Sequence, residues 1–340
     1  MPDWRKLHRL DDVDDSVATR YRTPMAAATD AVDRIRITTV VDNYIDNLRQ
    51  DDAVARRYSA FVAGKMPDLR AEHGLAHLVE ITRGGDRFTM AFDFGLTPET
   101  LNHNFRELAL DPASIDALGL SHGHRDHWGG LTGFLHAWRR RLRRDLPFYG
   151  GVDHFRARWQ QRGERRVYSG RLSRDEIERY EVPVTLVTTP MPLAEGVWLS
   201  GEMHAAEEWE TIPSNLRVEE DGELIQDTFI GEQTLVANVR DRGLVVVTSC
   251  SHRGIVGICR NAVRITGIPR VHAVIGGFHL SGLEEARITR VVDAFRDLDV
   301  EHLVPQHCTG IEAICAVAQR VPGRFTASSV GTTFEFAAPN

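Results

Sequence analysis

The sequence predicts a layered α/β fold in which functional side chains meet at one edge of a sheet. Residues 35–41 are rich in alternating β-branched side chains, the pattern of a strand. Three later segments, 244–248, 271–275 and 303–304, are apolar runs, each leading into a histidine-bearing loop and then a helical pattern. Because ligand sites in α/β folds lie at strand ends, these loops predict one common site.

The composition describes a globular chain and limits its partners. Of 340 residues, 42% are hydrophobic and 26% are charged, which allows a large core. No apolar run approaches the roughly 20 residues of a membrane span. Residues 1–15 are charged and do not resemble a signal peptide, so we expect a cytoplasmic protein without a membrane partner. The formal charge of -7 makes nucleic acid an unfavourable partner, and a homo-oligomer is allowed.

The cysteines predict reduced thiols or neighbours of a metal rather than a disulfide framework, because a chain of this size needs no such framework. All four lie in the last third of the chain, at Cys250, Cys259, Cys308 and Cys315.

The first half predicts an extension followed by strands and a capped helix. We interpret residues 1–33 as an N-terminal extension and residues 34–340 as one domain. A hairpin is predicted for 75–82 and 88–92, because a Gly-rich turn separates two apolar runs. A helix is predicted for 98–108 with Thr97 as its N-cap, followed by a short buried strand at 118–120 and a helix from 131 to 142.

An arginine-rich insertion is predicted at about 138–195. Two interpretations apply: a solvated helical face, or a cap that holds an anionic substrate. The arginines in question are Arg139, Arg140, Arg141, Arg143, Arg144, Arg156, Arg158, Arg162, Arg165 and Arg166.

The strongest signal is the run Ser-His-Gly-His-Arg-Asp-His at residues 121–127. In an extended segment, His122 and His124 point the same way and can hold one metal ion. Asp126 and His127 then fall on the following turn, aimed at a second ion. Imidazole and carboxylate donors suit zinc, with iron and manganese as alternatives. We therefore expect a centre of two divalent metal ions.

The run resembles the metal-binding motif of the metallo-β-lactamase superfamily. Further motifs follow in the order seen in one branch, that of archaeal 7,8-dihydropterin-6-methyl-4-(β-D-ribofuranosyl)aminobenzene-5'-phosphate synthase and its bacterial relatives. The resemblance spans roughly residues 35 to 336. Its other motifs are Val40-Val41-Asp42-Asn43, Phe92-Asp93-Phe94-Gly95, the segment 248–255, Ile275-Gly276-Gly277-Phe278-His279-Leu280 and His307-Cys308-Thr309-Gly310.

The resemblance implies a four-layer αββα sandwich with metals at one edge between two sheets. His122 and His124 are implied as ligands of the first metal, and Asp126 and His127 of the second. Where a bridging aspartate is common, this chain has Cys250 instead.

His252, two residues after Cys250, is assigned as a ligand, and Cys250 is left as an alternative ligand. His307 is chosen as the last ligand. His279 is the competitor for that place and otherwise a catalytic group in the pocket. Asp93 is expected to support the ligands by hydrogen bonding, and His204 is the weakest candidate.

Two adjacent divalent ions make hydroxide available near neutral pH, so the expected activity is hydrolysis. Asp126 is expected to orient this nucleophile while binding the second metal. The arginine stretch and the resemblance favour a small phosphorylated or carboxylated substrate. The alternatives are a pterin-type synthase or transferase on the same site and a metal-bound ligand sensor without turnover. A nuclease is disfavoured by the net acidity.

Overall fold

The computed structural model describes residues 30–203 and 207–339 and contains two large sheets that face each other. The predicted extension at 1–33 therefore falls almost entirely outside the described residues, as does His204. Across the eight-stranded sheet the strands are Ala55–Arg56 (β2), Thr333–Ala337 (β18), Arg34–Val41 (β1), Ala76–Arg83 (β3), Asp86–Phe92 (β4), Ala117–Gly119 (β5), Phe148–Gly150 (β6) and Val184–Leu186 (β9).

The second large sheet has six strands and a third, smaller sheet has four. Across the six-stranded sheet they are Met191–Ala194 (β10), Val197–Leu199 (β11), Leu235–Val239 (β14), Gly243–Val247 (β15), Val271–Gly277 (β16) and His302–Gln306 (β17). Two hairpins form the four-stranded sheet: Glu223–Gln226 (β13) with Leu216–Glu220 (β12), and Arg158–Arg162 (β7) with Arg165–Gly170 (β8).

Helices cover the outer faces of the two large sheets. On the eight-stranded sheet lie Pro98–Glu107 (α2) and Leu131–Trp138 (α4), and on the six-stranded sheet lie Ile255–Thr266 (α6), Glu285–Asp297 (α7) and Ile311–Arg320 (α8). Shorter helices are Ala60–Ala63 (α1), Arg125–Trp128 (α3) and Arg174–Glu178 (α5). The expected αββα order is therefore confirmed.

Strand alternation builds three separate apolar cores. In β15, Val245 and Val247 face the core between the sheets, whereas Leu244 and Val246 face α6 and α7. All four side chains are fully buried. Burial of one such side chain contributes on the order of 1.5–3 kcal/mol, so both faces of this strand stabilise the sandwich. A strand that is buried on both faces has a continuous apolar sequence, and this pattern at residues 244–248 is what predicted the strand.

The topology brings the site loops to one edge. Strand β4 is parallel to β5, and β15, β16 and β17 are parallel to one another, so their carboxyl ends leave the sheets on the same side. The loops that follow them carry the predicted histidines. The single site expected from the sequence therefore lies at this edge.

The predicted helical face in the arginine stretch is wrong. Helix α4 ends at Trp138, before the arginines and short of the predicted end at 142, and only α5 is helical between 139 and 195. Strands β6 and β9 place parts of this segment in the eight-stranded sheet, and β7 and β8 form a hairpin. Strand pairing with distant segments outweighs the local helical preference.

Within residues 30–203 and 207–339, none of the helices has the length and apolar character that a bilayer crossing requires. The cytoplasmic location expected from the sequence stays a prediction.

Candidate metal centre

Three imidazoles form the first donor group. His122 and His124 lie on the extended loop after β5, and His252 lies on the loop after β15. One ring nitrogen of each falls within 4.8 Å of the others. Among the described residues, His122 Nε2 and both ring nitrogens of His252 are buried without a hydrogen-bond partner. Because an unsatisfied buried polar group costs about 1–3 kcal/mol, these atoms fit the ligands of a cation.

A second donor group lies beside the first. Helix α3 begins at Arg125, so Asp126 and His127 lie on its first turn, while His307 follows β17. Asp126 Oδ2 lies 3.3 Å from His127 Nε2 and 3.2 Å from His307 Nε2. His307 Nε2 is also buried without a hydrogen-bond partner within the described part of the chain.

The Cys250 thiol lies between the two groups. Its Sγ atom is 3.3 Å from His127 Nε2. It also falls within 4.8 Å of donors from His252 and His279, and of donors from His307 and Cys308. Burial raises the pKa of this thiol well above its usual value. The geometry therefore places Cys250 where the resemblance implies a bridging aspartate.

His279 lies beside the first donor group rather than the second. Its ring centroid is 4.2 Å from that of His252, and its buried Nδ1 has no hydrogen-bond partner among the described residues. Burial opposes protonation, but Cys308, together with Glu232 and Asp126, outweighs the effect of burial and raises the pKa of His279. Of the two residues considered for the last ligand, His307 is therefore the one that faces Asp126.

Asp93 orients His127, as the sequence led us to expect. Its Oδ2 atom accepts a hydrogen bond from His127 Nδ1 at 2.8 Å and another from Ser121 Oγ at 2.7 Å. The Ser249 hydroxyl donates to the same oxygen. With Nδ1 engaged, Nε2 of His127 is the nitrogen left to face Asp126, which is the usual role of a carboxylate behind a ligand.

Two other carboxylates hold the ligand loops. Glu232 accepts the backbone N–H of His252 and of Arg253, both at 2.8 Å. Asp42, directly after β1, accepts the backbone N–H of His307 at 3.0 Å. Burial raises the pKa of Glu232 to about 7. The sequence analysis did not identify Glu232, because its partner His252 lies 20 residues later, on the loop after β15.

The imidazoles of the first donor group differ from His127 in the direction of their pKa shifts. Burial lowers the pKa of His124 to about 3 and those of His122 and His252 well below their usual value. Burial also opposes protonation of His127, but Asp126 and Asp93 outweigh it and raise its pKa to about 10. The first group therefore offers neutral imidazoles with free lone pairs, the form that binds divalent cations.

Both groups open into one cavity of about 330 Å³. The exposed Arg125 lies in its wall, and Gln160, Ser169 and Leu216 line it from the four-stranded sheet. No arginine of the stretch 139–166 lines the cavity. The hairpin β7–β8 is thus a cap over the site, but it contributes uncharged side chains there.

Arg158 instead supports the histidine loop from beneath. Its guanidinium is buried and bonds Asp227 at 2.9 Å and Asp153 at 3.2 Å. A Cβ atom at Gly123 would overlap this guanidinium, so the loop between the two histidines needs glycine at this position. The ring of Phe229 lies between Arg158 and His252 and is stacked 3.9 Å from the His252 ring.

Sequence reasoning missed Phe229, Arg158 as a buried support, Cys308 and His73. His73 lines the same cavity, with Nε2 3.6 Å from Asp126 Oδ2. Its signal in the sequence was its place in Glu-His-Gly-Leu, directly before β3, where Gly74 allows a close backbone approach.

Comparison with known proteins gives two curated relatives from Methanocaldococcus jannaschii. The 7,8-dihydropterin-6-methyl-4-(β-D-ribofuranosyl)-aminobenzene-5'-phosphate synthase is 30% identical over 288 residues, which cover 83% of this chain and 90% of the relative. An uncharacterized protein is 28% identical over 252 residues, which cover 73% of this chain and 88% of the relative. No protein-family model matches the chain.

A solved structure agrees with the curated relatives. Tm1679, described as a metal-dependent hydrolase of the β-lactamase superfamily, matches with a TM-score of 0.69 at 27% identity, covering 89% of this chain and 100% of that chain. The fold, the synthase relative and the donor groups together support a metal-dependent enzyme. The chain belongs to the metallo-β-lactamase superfamily, in the branch of the archaeal 7,8-dihydropterin-6-methyl-4-(β-D-ribofuranosyl)aminobenzene-5'-phosphate synthase.

Proposed function

We propose that the protein is a hydrolase that uses two divalent cations on a small anionic substrate. The observation that carries this proposal is the pair of adjacent donor groups, in which His122 Nε2, His307 Nε2 and both ring nitrogens of His252 are buried without a hydrogen-bond partner among the described residues. Nitrogen, thiol and carboxylate donors together suit zinc, with iron and manganese as alternatives. When bound, such cations lower the pKa of a water molecule and polarise the oxygen that gains charge.

The positions of the donor residues assign them to two cations. We assign His122, His124 and His252 to one cation, and Asp126, His127 and His307 to the other; Cys250 lies between them. Asp126 also faces the cavity, where it can orient the attacking water.

We assign His279 the exchange of a proton with the substrate. It lines the cavity, and its Nδ1 has no partner among the described residues, so this nitrogen can donate to or accept from a bound molecule.

The charges around the cavity support an anionic substrate. Neutral imidazoles carry no charge, so the four positive charges of two divalent cations would exceed the three negative charges of Asp126, Asp93 and one ionised thiol of the Cys250–Cys308 pair. The exposed Arg125 adds a further positive group in the wall. A site with this excess attracts phosphate or carboxylate groups. The cavity of about 330 Å³ fits a small molecule.

A pterin-type synthase on the same site is the second candidate. It is favoured by the curated synthase relative, which aligns over 90% of its length. In this alternative the two donor groups and Arg125 keep the roles given above, but the attacking group belongs to a second substrate rather than to water.

One experiment separates the two candidates. Protein purified without chelators is analysed for bound transition metal and then incubated with phosphoesters, carboxylic esters and lactones. A parallel incubation contains a dihydropterin diphosphate with a ribofuranosylaminobenzene phosphate. Mass spectrometry reports either a product with one added water or a joined product with released diphosphate. Protein that contains no transition metal and does not respond to added metal would contradict both candidates.

A further inference from the structure

Three imidazoles converge on one carboxylate oxygen in the second donor group. Asp126 Oδ2 lies 3.2 Å from His307 Nε2, 3.3 Å from His127 Nε2 and 3.6 Å from His73 Nε2. Donor atoms around a tetrahedral cation with bonds of about 2.0–2.1 Å lie roughly 3.3–3.4 Å apart. The distances from Asp126 to all three imidazoles therefore match the spacing of donors that share one cation.

The backbone around His73 is held in place. Glu72 accepts the backbone N–H of Leu96 at 2.8 Å and of Thr97 at 3.0 Å. On the other side, Leu75 N donates to Asp126 O at 3.3 Å, and a Cβ atom at Gly74 would lie 2.7 Å from that carbonyl oxygen. His73 is thus mounted against the turn that carries Asp126.

An ordinary surface ion pair does not account for this arrangement. The His73 side chain is 67% exposed, and an exposed ion pair of this kind contributes little to stability. The same carboxylate oxygen, however, also faces the buried His307 Nε2, which lacks a hydrogen-bond partner among the described residues. The His73 and His307 rings lie 4.8 Å apart, so both imidazoles border the same space.

We propose that His73 supplies a fourth protein ligand to the cation held by Asp126, His127 and His307. The inference rests on the proposed function, since it assumes that a cation binds at that position. It concerns the second donor group alone, because the first group contains His122, His124 and His252 and no atom of His73.

The test is a cobalt titration of protein freed of metal, followed by visible absorption. His73→Ala and His73→Asn are compared with wild type and with His136→Ala, which removes an exposed imidazole from α4 outside the cavity. Wild type and His136→Ala are expected to bind two equivalents of Co²⁺. Both His73 variants should bind the first equivalent within twofold of wild type and the second at least about tenfold more weakly.

The cobalt spectrum reports ligation directly, so the result does not depend on activity. The absorption gained with the second equivalent should change in shape and intensity in the His73 variants, because a ligand has been lost. Second-equivalent binding within twofold of wild type, with an unchanged spectrum, would overturn the role of His73. Loss of both equivalents in a folded His73 variant, checked by circular dichroism, would also overturn it. Wild type that binds no cobalt would instead contradict the proposed function.

Discussion

Asp93 Oδ2 lies 2.8 Å from His127 Nδ1, although the two residues are 34 positions apart. Asp93 follows β4 and His127 lies on α3, so the contact joins the edge of the sheet to the metal loop. Asp93 has a φ of 63°, a left-handed conformation that a non-glycine residue adopts at a cost. The contacts of its carboxylate with Ser121, His127 and Ser249 offset that cost.

Asp93→Asn should weaken cation binding at the second donor group. The amide carries no charge and does not fix the His127 tautomer, so we expect affinity to fall about 10–100-fold. Competition with a chromophoric chelator measures this loss. Asp293→Asn, which removes a carboxylate from the exposed face of α7, is the control and should retain wild-type affinity. An unchanged affinity in Asp93→Asn would show that Asp93 does not support cation binding.

His124→Ala should lose metal and activity together. The variant removes one of three neutral imidazoles from the first donor group. His204→Ala, by contrast, is expected to retain its metal. The branch that this sequence resembles does not usually have a histidine at that position, so we do not expect His204 to be a ligand. Metal analysis after gel filtration, beside turnover of the best substrate, checks both. Full metal retention in His124→Ala would contradict the assignment of the first group.

Arg158→Leu should destabilise the fold by about 3–5 kcal/mol, because it leaves Asp153 and Asp227 buried without their cation. Arg156→Ala is the matched control, since Arg156 pairs with Glu220 at 2.8 Å where both side chains are 40% exposed. The control should cost less than about 1 kcal/mol. Urea denaturation measures both free energies of unfolding. Equal losses in the two variants would show that burial of Arg158 does not matter.

His154 should make the fold sensitive to acid. Its Nδ1 accepts the Gly151 N–H at 2.9 Å and its Nε2 donates to Gly231 O at 3.0 Å, so the neutral ring is fully bonded. Burial lowers the pKa of His154 to about 4 from its ordinary value of 6.5. Between these values the unfolded chain binds a proton that the folded chain does not, so stability falls as the pH decreases.

The expected loss from this one group is about 2 kcal/mol between pH 7 and pH 5. The difference in free energy of unfolding between wild type and His154→Gln isolates it, because the other titrating groups are common to both proteins. That difference should shrink as the pH is lowered from 7 to 5. A difference that stays constant over this range would show that His154 does not titrate as described.

Most elements of the fold could be predicted from local patterns. A period of two residues predicted β1, and two apolar runs separated by a Gly-rich turn predicted the β3–β4 hairpin. Thr97 caps α2 as expected, accepting a hydrogen bond from the Thr100 N–H. The prediction of a helical face in the arginine stretch was wrong because charge density is a local property of the sequence, whereas strand pairing depends on distant segments. The β7–β8 hairpin pairs with β12, more than 50 residues later, and the sequence of the hairpin alone does not show that partner.

The sequence by itself determined the α/β class and the histidine motif, because residue spacing alone decides which side chains share a face of a strand or a turn of a helix. The four-layer sandwich was implied by the family resemblance of the motifs. Only the tertiary structure decided that Cys250 lies between the two donor groups, that Arg158 is buried beneath Gly123, and that His73 faces Asp126. These relationships depend on contacts between separate loops. Their distances are set by how the two sheets pack, which no local pattern of residues records.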